Sequence, residues 1–503
     1  MNKHIYMVGI KGTGMAALAE LLQHEGALLG GADTSEKFYT DDILHELKIP
    51  YHEGFNAANI IEEIDKNGPL DEVIYSAAYS PDTNPELAEA RRQGIALKLY
   101  PEALGDFSGR YDSTGICGVH GKTTTTALCG TVLQALQVPA RILVGSAVNW
   151  PKGGEMIASP RSTLSIGDNP KYFVAETCEY RRHFLDFHPS RIILTSVESD
   201  HQDYYPGFAD IQKAFIEYIH KLPKNGSLIY CADDAGAVDT VHKALKDRPD
   251  IQTLPYGWTA EGDYKITSFK VENERIVWTV AAFGDCQLKM CIPGRHTALN
   301  ATAALALASE LINREPRQPR EQFVKANNYS PPQIALIQQA LEDFRGSKRR
   351  SELLGEYKGI LFIDDYGHHP TAIRTTLAGY RAFYPGRRII VSFMSHTSSR
   401  TAALLDDFAQ CFDSADVLFL HKIYASARHD DTAISGRTLY EQAKKLARPG
   451  LKEQIYYYDD YHEALQPLLQ TLHTGDVFIT MGAGDNWQLG KALIQKLQQG
   501  GSL

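Results

Sequence analysis

The 503-residue sequence is short of cysteine, of positive charge and of long apolar runs, and each shortage closes off a class of protein. Its seven cysteines (117, 129, 178, 231, 286, 291 and 411) never fall in CxxC spacing and are odd in number. That excludes a zinc ribbon and a complete disulfide framework, and it fits reduced thiols in the cytoplasm. Lysine and arginine total 51 against 61 acids, a formal net charge of −10. Neither nucleic acid nor an anionic membrane is therefore expected as a partner, because both need a basic face. No apolar run approaches the ~20 residues that span a bilayer. The opening MNKHIYMVGIKG holds too few apolar residues before Gly9 for a signal h-region. There is no short-period repeat and no low-complexity tract, which sets aside solenoids and disordered linkers.

What is present is the balance of a soluble globular chain, 43% hydrophobic and 22% charged. At this length one core is too few, and about three domains are expected. The first stretch reads strand (His4–Val8), glycine turn, helix (Met15–His24) and strand (Ala27–Ala32), with further strands at EVIYS and Ile95–Leu99. This is a parallel, Rossmann-like unit over 1–112. A second unit, 113–345, opens with GICG and continues HGKTTTTALCGTVLQALQV, with buried-strand candidates at YFVA, RIILTSV and LIYCADD. It resembles a P-loop ATPase sheet, with an antiparallel patch at YKITSFKV, RIVWTVAAF and CQLKMCIPG. INREPRQPREQFVKANNYSPPQ reads as a connecting excursion. The third unit, 346–503, alternates GILFIDDY, RRIIVSFM, DVLFLHKIY, QIYYYDD and DVFITMGAGDNW with helices, again Rossmann-like. The fold class is three-domain α/β.

GVHGKTTTT follows a strand and opens a helix, the setting of an anion cradle. Strict Walker spacing places glycine at 116, where Ile116 stands, so the loop is a shorter variant. Its backbone and side chains (Gly118, His120, Gly121, Lys122, Thr123 and Thr124) read as a phosphate site, with Lys122 as point charge and the Thr123 hydroxyl available to Mg²⁺. The alternative is an ordinary strand–helix turn with a surface lysine. Glu176 and His201 close two further strands, where α/β sheets bind ligands, and each offers a donor to magnesium. The bland reading makes them a cap and a loop histidine.

The earlier GIKGTGMAALA places Gly12, Gly14 and Ala17 as G-x-G-x-x-A, with Asp33 about 20 residues on. Alone it suggests NAD or some other diphosphate. A nicotinamide enzyme has no need of a phosphate loop next door, so a diphosphate-bearing substrate is the better expectation. DDYGHHPTAI, SHTSSRT and GAGDNW each close a strand of the third unit and gather polar groups on one sheet edge, with Pro370 suited to a first helical turn.

Taken in order, GIKGTGM, GVHGKTTTT, VAETCEY, VESDHQDYY, IPGRHTALNATAA, GSKRR, DDYGHHPTAI and MGAGDNW resemble the Mur ligase family over almost the whole chain. The resemblance implies a UDP-sugar domain, a central ATPase and a closing third domain. It implies an ATP-dependent, ADP-forming ligase that joins L-alanine to the lactyl carboxylate of UDP-N-acetylmuramate through an acyl phosphate. The rival within the family is a recycling ligase that adds a preformed murein tripeptide. Cofactors implied are ATP and Mg²⁺, and the expected state is a monomer or weak homodimer. Gly12, Thr13, Gly14, Met15 and Asp33 would then take the UDP-sugar. The loop, His296, Asn300, Arg349 (or Arg350) and Asp364 would take ATP. Thr123, Glu176 and His201 would hold metal, His201 a second magnesium. Lys122, His201, His368 and Arg400 would be catalytic, the last two orienting the amino acid. Val119 replaces the family's usual threonine, and Thr397 its arginine after the SHTSSRT histidine. Phe215 aligns with a lysine that many relatives carbamylate, so no modified lysine is expected. A nucleotide-gated switch and an NAD-linked dehydrogenase are the readings from other classes.

Overall fold

A computed structural model describes residues 3–152, 155–156, 160–314, 329–424 and 434–499. Three parallel sheets follow one another along the chain. The first has the spatial order 52–53, 28–33, 4–8, 72–75, 96–99, all parallel. The central sheet runs 161–166, 140–148, 172–176, 112–117, 191–194, 227–231, 252–256. Only its edge strand Arg161–Ile166 is antiparallel. The third runs 352–357, 360–365, 477–482, 389–394, 417–420, 455–457, again parallel but for one edge, Glu352–Tyr357.

The strands expected from the sequence are present, with additions. Ala140–Val148, Arg161–Ile166 and Gln252–Tyr256 extend the central sheet, and Glu352–Tyr357 the third. The antiparallel patch is a separate three-stranded sheet, Ile266–Glu272, Arg275–Val280 and Leu288–Met290. Of the connecting excursion, residues 315–328 lie outside the described residues. Its two ends are helical, closing Arg295–Arg314 and opening Pro331–Asp343.

Small side chains set the central core. The helix Arg295–Arg314 buries Ala298, Ala301, Ala304 and Ala308 completely, which lets it lie close along Lys122–Ala135. Lys122–Ala135 in turn buries Ala127, Leu128, Val132 and Leu133. On the other face one apolar cluster runs without a break from Met15, Leu18 and Phe107 of the first unit into Phe173, Phe215 and Tyr218 of the second. The third unit has its own two cores, one on each face of its sheet.

Candidate active site

The strand Asp112–Cys117 ends in the loop that feeds Lys122–Ala135. Gly118 (φ 133°) and Gly121 (φ 82°) hold left-handed backbone that a side chain would strain. A Cβ at Gly121 would stand 2.8 Å from Asn300 Oδ1, so glycine is also required by space. No side chain caps the helix, which leaves its first N–H groups for an anion. Lys122 Nζ folds back over the loop, donating to Gly118 O at 2.5 Å and to Glu179 Oε2 at 3.0 Å. Burial works against its charge, but Glu179 outweighs it and raises the lysine above its ordinary value. Burial likewise pushes the Glu179 carboxyl up, and Lys122 and His201 bring it below the usual range.

Glu179 went unassigned in the sequence although VAETCEY contains it. It is 2% exposed and also meets His201 Nε2 at 3.3 Å, so one buried carboxylate joins the loop lysine to the histidine. His201 sits at φ 56°, a conformation uncommon away from glycine, with its ring 4.8 Å from Tyr180. Thr123 Oγ1 donates to Glu176 Oε2 at 2.9 Å, and Gly145 N donates to the same oxygen at 3.0 Å.

Gly121, Lys122, Thr123, Glu176, Glu179 and His201 line a cavity of about 460 Å³, together with Thr124, His296, Asn300 and residues of the third unit. His296 Nδ1 is buried with no hydrogen-bond partner, and burial holds its imidazole below the ordinary value. From the third unit come Arg350, Asp365, His368, His369 and Arg400. Arg400 is 4% exposed, and its Nε donates to Asp200 Oδ1 at 2.8 Å across the seam between units. Burial raises the Asp200 carboxyl, but Arg400 and then His201 overcome it and hold it well below the carboxylate range. Burial, then Arg400, pushes His368 well below its ordinary value, so its imidazole is neutral. His368 Nδ1 faces Tyr366 O at 3.0 Å. A carbonyl only accepts, so Nδ1 carries the proton and Nε2 the lone pair.

Two expectations need correction. Arg349 and Asp364 do not reach the cavity. Arg349 Nε donates to Asp364 Oδ2 at 3.0 Å, its other nitrogens to Gly482 O and Gly484 O, and Asp364 accepts from Thr480. Successive strand residues point to opposite faces, so Asp365 is the acid of this strand that lines the cavity. Arg350 is the arginine that enters it, 3.4 Å from Thr123 Oγ1.

The first glycine turn lies outside this cavity. Gly12 caps the helix Thr13–His24, again without a side-chain cap. A Cβ at Gly14 would meet the Tyr100 ring at 2.8 Å, so Gly14 is fixed by packing. Met15 is buried in the core, leaving its backbone N–H alone for a ligand, and Thr13 Oγ1 accepts from Tyr39. Asp33 is 4% exposed and its carboxylate is engaged by Lys11 N at 2.7 Å, Thr34 N and Tyr79, so it braces the turn from beneath. Tyr100 stands between the two sites: its hydroxyl is raised by burial and by the charges of Glu176 and Cys178. Thr397 stands outside the cavity lining, as the φ 62° cap of the helix Ser398–Ala403. Phe215 is wholly buried, its ring 5.3 Å from Phe184.

Three parallel α/β units, a phosphate-type loop, and a third unit whose side chains complete the loop's cavity define a P-loop protein of the multi-domain ligase type. Descriptions of the Mur ligase family match in order: its catalytic domain at 4–112, its middle domain at 116–308, and its glutamate ligase domain at 349–484. The chain belongs to the Mur ligase family. It is 46% identical to a UDP-N-acetylmuramate–L-alanine ligase of Treponema pallidum, over 98% of this chain and 97% of that one. It is 36% identical to a protein of the same name from Borreliella burgdorferi, over 97% of each. Among solved structures, the UDP-N-acetylmuramate-alanine ligase of Thermotoga maritima superposes with a TM-score of 0.73 at 24% identity, covering 99% of both chains. A murein peptide ligase from Psychrobacter arcticus gives 0.65 at 22%, covering 100% of this chain and 99% of that one. At these identities the structures speak to fold.

Proposed function

We propose that the chain is an ATP-dependent, ADP-forming ligase that joins L-alanine to the lactyl carboxylate of UDP-N-acetylmuramate, a step of peptidoglycan precursor synthesis in the cytoplasm. The observation that carries the reading is the shared cavity, in which the Lys122 loop and the Thr123–Glu176 pair face His368 and Arg400 of the third unit. The relatives' names supply the substrates. Residues 1–112 take the UDP-sugar, 113–345 the ATP, and 346–503 close over both, in a monomer or weak homodimer.

A carboxylate is a poor electrophile, so amide formation needs activation. The lactyl carboxylate oxygen attacks the γ-phosphorus, ADP departs, and an acyl phosphate remains. The amine of alanine attacks its carbonyl carbon, and phosphate leaves as the amide forms. Lys122, released from Gly118 O by the incoming phosphates, balances their charge. The unpartnered His296 Nδ1 and Asn300 fit a polar base edge such as adenine. Thr123 and Glu176 offer converging oxygen donors, the set that hard cations take. Mg²⁺ held there, with His201 beside it, supplies charge neutralisation at the transferring group. Arg400 orients the amino-acid carboxylate, and the His368 Nε2 lone pair accepts from its ammonium group. The third unit excludes the water that would hydrolyse the acyl phosphate.

The test is phosphate release from ATP with UDP-N-acetylmuramate and alanine, glycine, serine or the murein tripeptide. Stimulation by alanine is expected. No stimulation by any acceptor removes the ligase reading, and preference for the tripeptide transfers it to the recycling reaction.

A further inference from the structure

His120 of the phosphate loop, Glu198 of the loop after Arg191–Leu194, and His369 of the third unit meet at one point of the seam between units. Their ligand atoms lie within 4.8 Å of one another. Glu198 Oε1 is in contact with His120 Nε2 and stands 3.5 Å from His369 Nδ1, and the two imidazole rings are 4.9 Å apart. We infer that these three side chains form a site for a borderline divalent transition cation of the zinc class, and that the bound cation clamps the third unit onto the phosphate loop.

The donor chemistry selects the ion. Two imidazoles and one carboxylate with a free fourth position are a common zinc set, whereas magnesium takes oxygen donors. This set is distinct from Thr123, Glu176 and His201. His369 Nδ1 accepts from Thr371 N at 3.3 Å, so its proton is on Nε2, and an ion would take the Nδ1 lone pair in exchange for that long cap bond. Thr371 Oγ1 donates to Glu198 Oε2 at 3.0 Å and fixes the carboxylate, the outer support that metal sites commonly have. His120 and Glu198 side chains are 26% and 28% exposed, which leaves an entry path and room for a water as fourth ligand. Because the donors come from both sides of the seam, a bound ion opposes opening. His120 immediately precedes Gly121 and Lys122, so the ion also stiffens the loop that must receive phosphates.

The experiment titrates the nucleotide-free full chain with Zn²⁺ alone, by calorimetry, and with Co²⁺, by visible absorption, each in excess Mg²⁺. One ion per chain is expected, with the absorption of low-coordinate Co²⁺. Glu198→Gln and His369→Asn are expected to bind at least about tenfold more weakly, the lower end of what losing even a supporting group costs a metal site. Asparagine at 369 still caps the helix Pro370–Phe383, which separates ligation from folding. Unchanged affinity in both variants, or no binding by the wild type, overturns the site. Zn²⁺ should slow turnover of the wild type, and His369→Asn should need at least about tenfold more Zn²⁺ for the same inhibition. Zinc that binds and leaves turnover untouched overturns the clamp. This inhibitory half rests on the ligase reading, whereas an enzyme idle with every acceptor in the absence of zinc would count against that reading alone.

Discussion

Replacing Asp200 by asparagine should uncouple ATP consumption from amide formation. Asp200 is 3% exposed and its Oδ1 accepts from Arg400 Nε at 2.8 Å and from His201 N at 2.7 Å. Asparagine keeps an acceptor but removes the charge. A hydrogen bond to a charged group contributes about 1.5–3 kcal/mol, so the docked third unit loses about 2 kcal/mol relative to an open one in which water serves both groups. That lowers the closed-to-open ratio roughly 30-fold, since 1.4 kcal/mol is a factor of ten. Acyl phosphate formed in an unsealed cavity meets water. Phosphate released per amide formed should therefore rise clearly above one, while amide formation slows. The assay compares phosphate release with product by chromatography over a range of alanine concentrations. Asp200 also touches His201, so a double-mutant cycle with Arg400→Met isolates the term that crosses the seam. A ratio that stays at one, with amide formation unchanged, refutes the idea that this pair closes the site.

Lys122→Ala should lower turnover on the order of 100- to 1000-fold, the loss seen when one preorganised donor to developing charge is removed. UDP-sugar binding to the first unit, measured by calorimetry, should persist; phosphate release at the normal rate contradicts the loop's assignment. His421 is buried between Ser392 Oγ (2.8 Å) and Tyr458 O (3.1 Å), and burial lowers its pKa from 6.5 to about 4. Below pH 6.5 the unfolded chain gains a proton that the folded chain refuses, so stability falls as pH drops toward 4. At 1.36 kcal/mol per unit the loss is about 3 kcal/mol. Urea titrations across that range should show it in the wild type and not in His421→Gln; parallel pH dependence in the two would exclude the histidine as its source. Gly14→Ala drives a methyl into the Tyr100 ring and should cost about 1–3 kcal/mol in thermal unfolding, relieved in part by Tyr100→Leu. An unchanged melting temperature would mean the ring moves aside freely.

What was legible in the sequence is what is local. Gly118, Gly121, Lys122 and Thr123 declare their role by spacing along one strand–turn–helix, and Pro370 its place in the first turn of a helix. The choice between Arg349 and Arg350, or Asp364 and Asp365, turns on which face of a strand meets the cavity. The register of Glu352–Tyr357 against Ile360–Asp365, with its irregularity between Leu353 and Gly355, is a tertiary fact. Arg349 and Ser351 hold positive φ, at 58° and 50°, which no pattern of polarity announces. Glu179 carried a signal that went unused: a second acid three residues after Glu176, beyond the end of the strand. The meeting of His120, Glu198 and His369 comes from three distant segments and had none.

The two seams of the molecule differ in kind, and the difference predicts which one opens more readily. Between the first and second units the joint is apolar and continuous, Met15, Leu18 and Phe107 running into Phe173 and Phe215. Opening it would expose hydrocarbon to water at roughly 25 cal/mol for every Å². Between the second and third units the contacts are mostly polar: Arg400 with Asp200, Thr371 with Glu198, Arg350 with Thr123, and Ser146 with Lys348 O. From the third unit Phe383, with Tyr384 packed beside it, joins the central core. Water can replace polar partners but not apolar ones, so this seam is expected to open before the other. On the proposed reading, the two glycine turns would keep a fixed spacing while the third unit admits and seals. Hydrogen–deuterium exchange should accordingly be faster in 195–200, 366–371 and 396–400 than in Thr13–His24, and the three loops should slow together when ATP and UDP-N-acetylmuramate are both bound. Equal protection of loops and helix in the free chain would mean that the polar seam is as permanent as the apolar one.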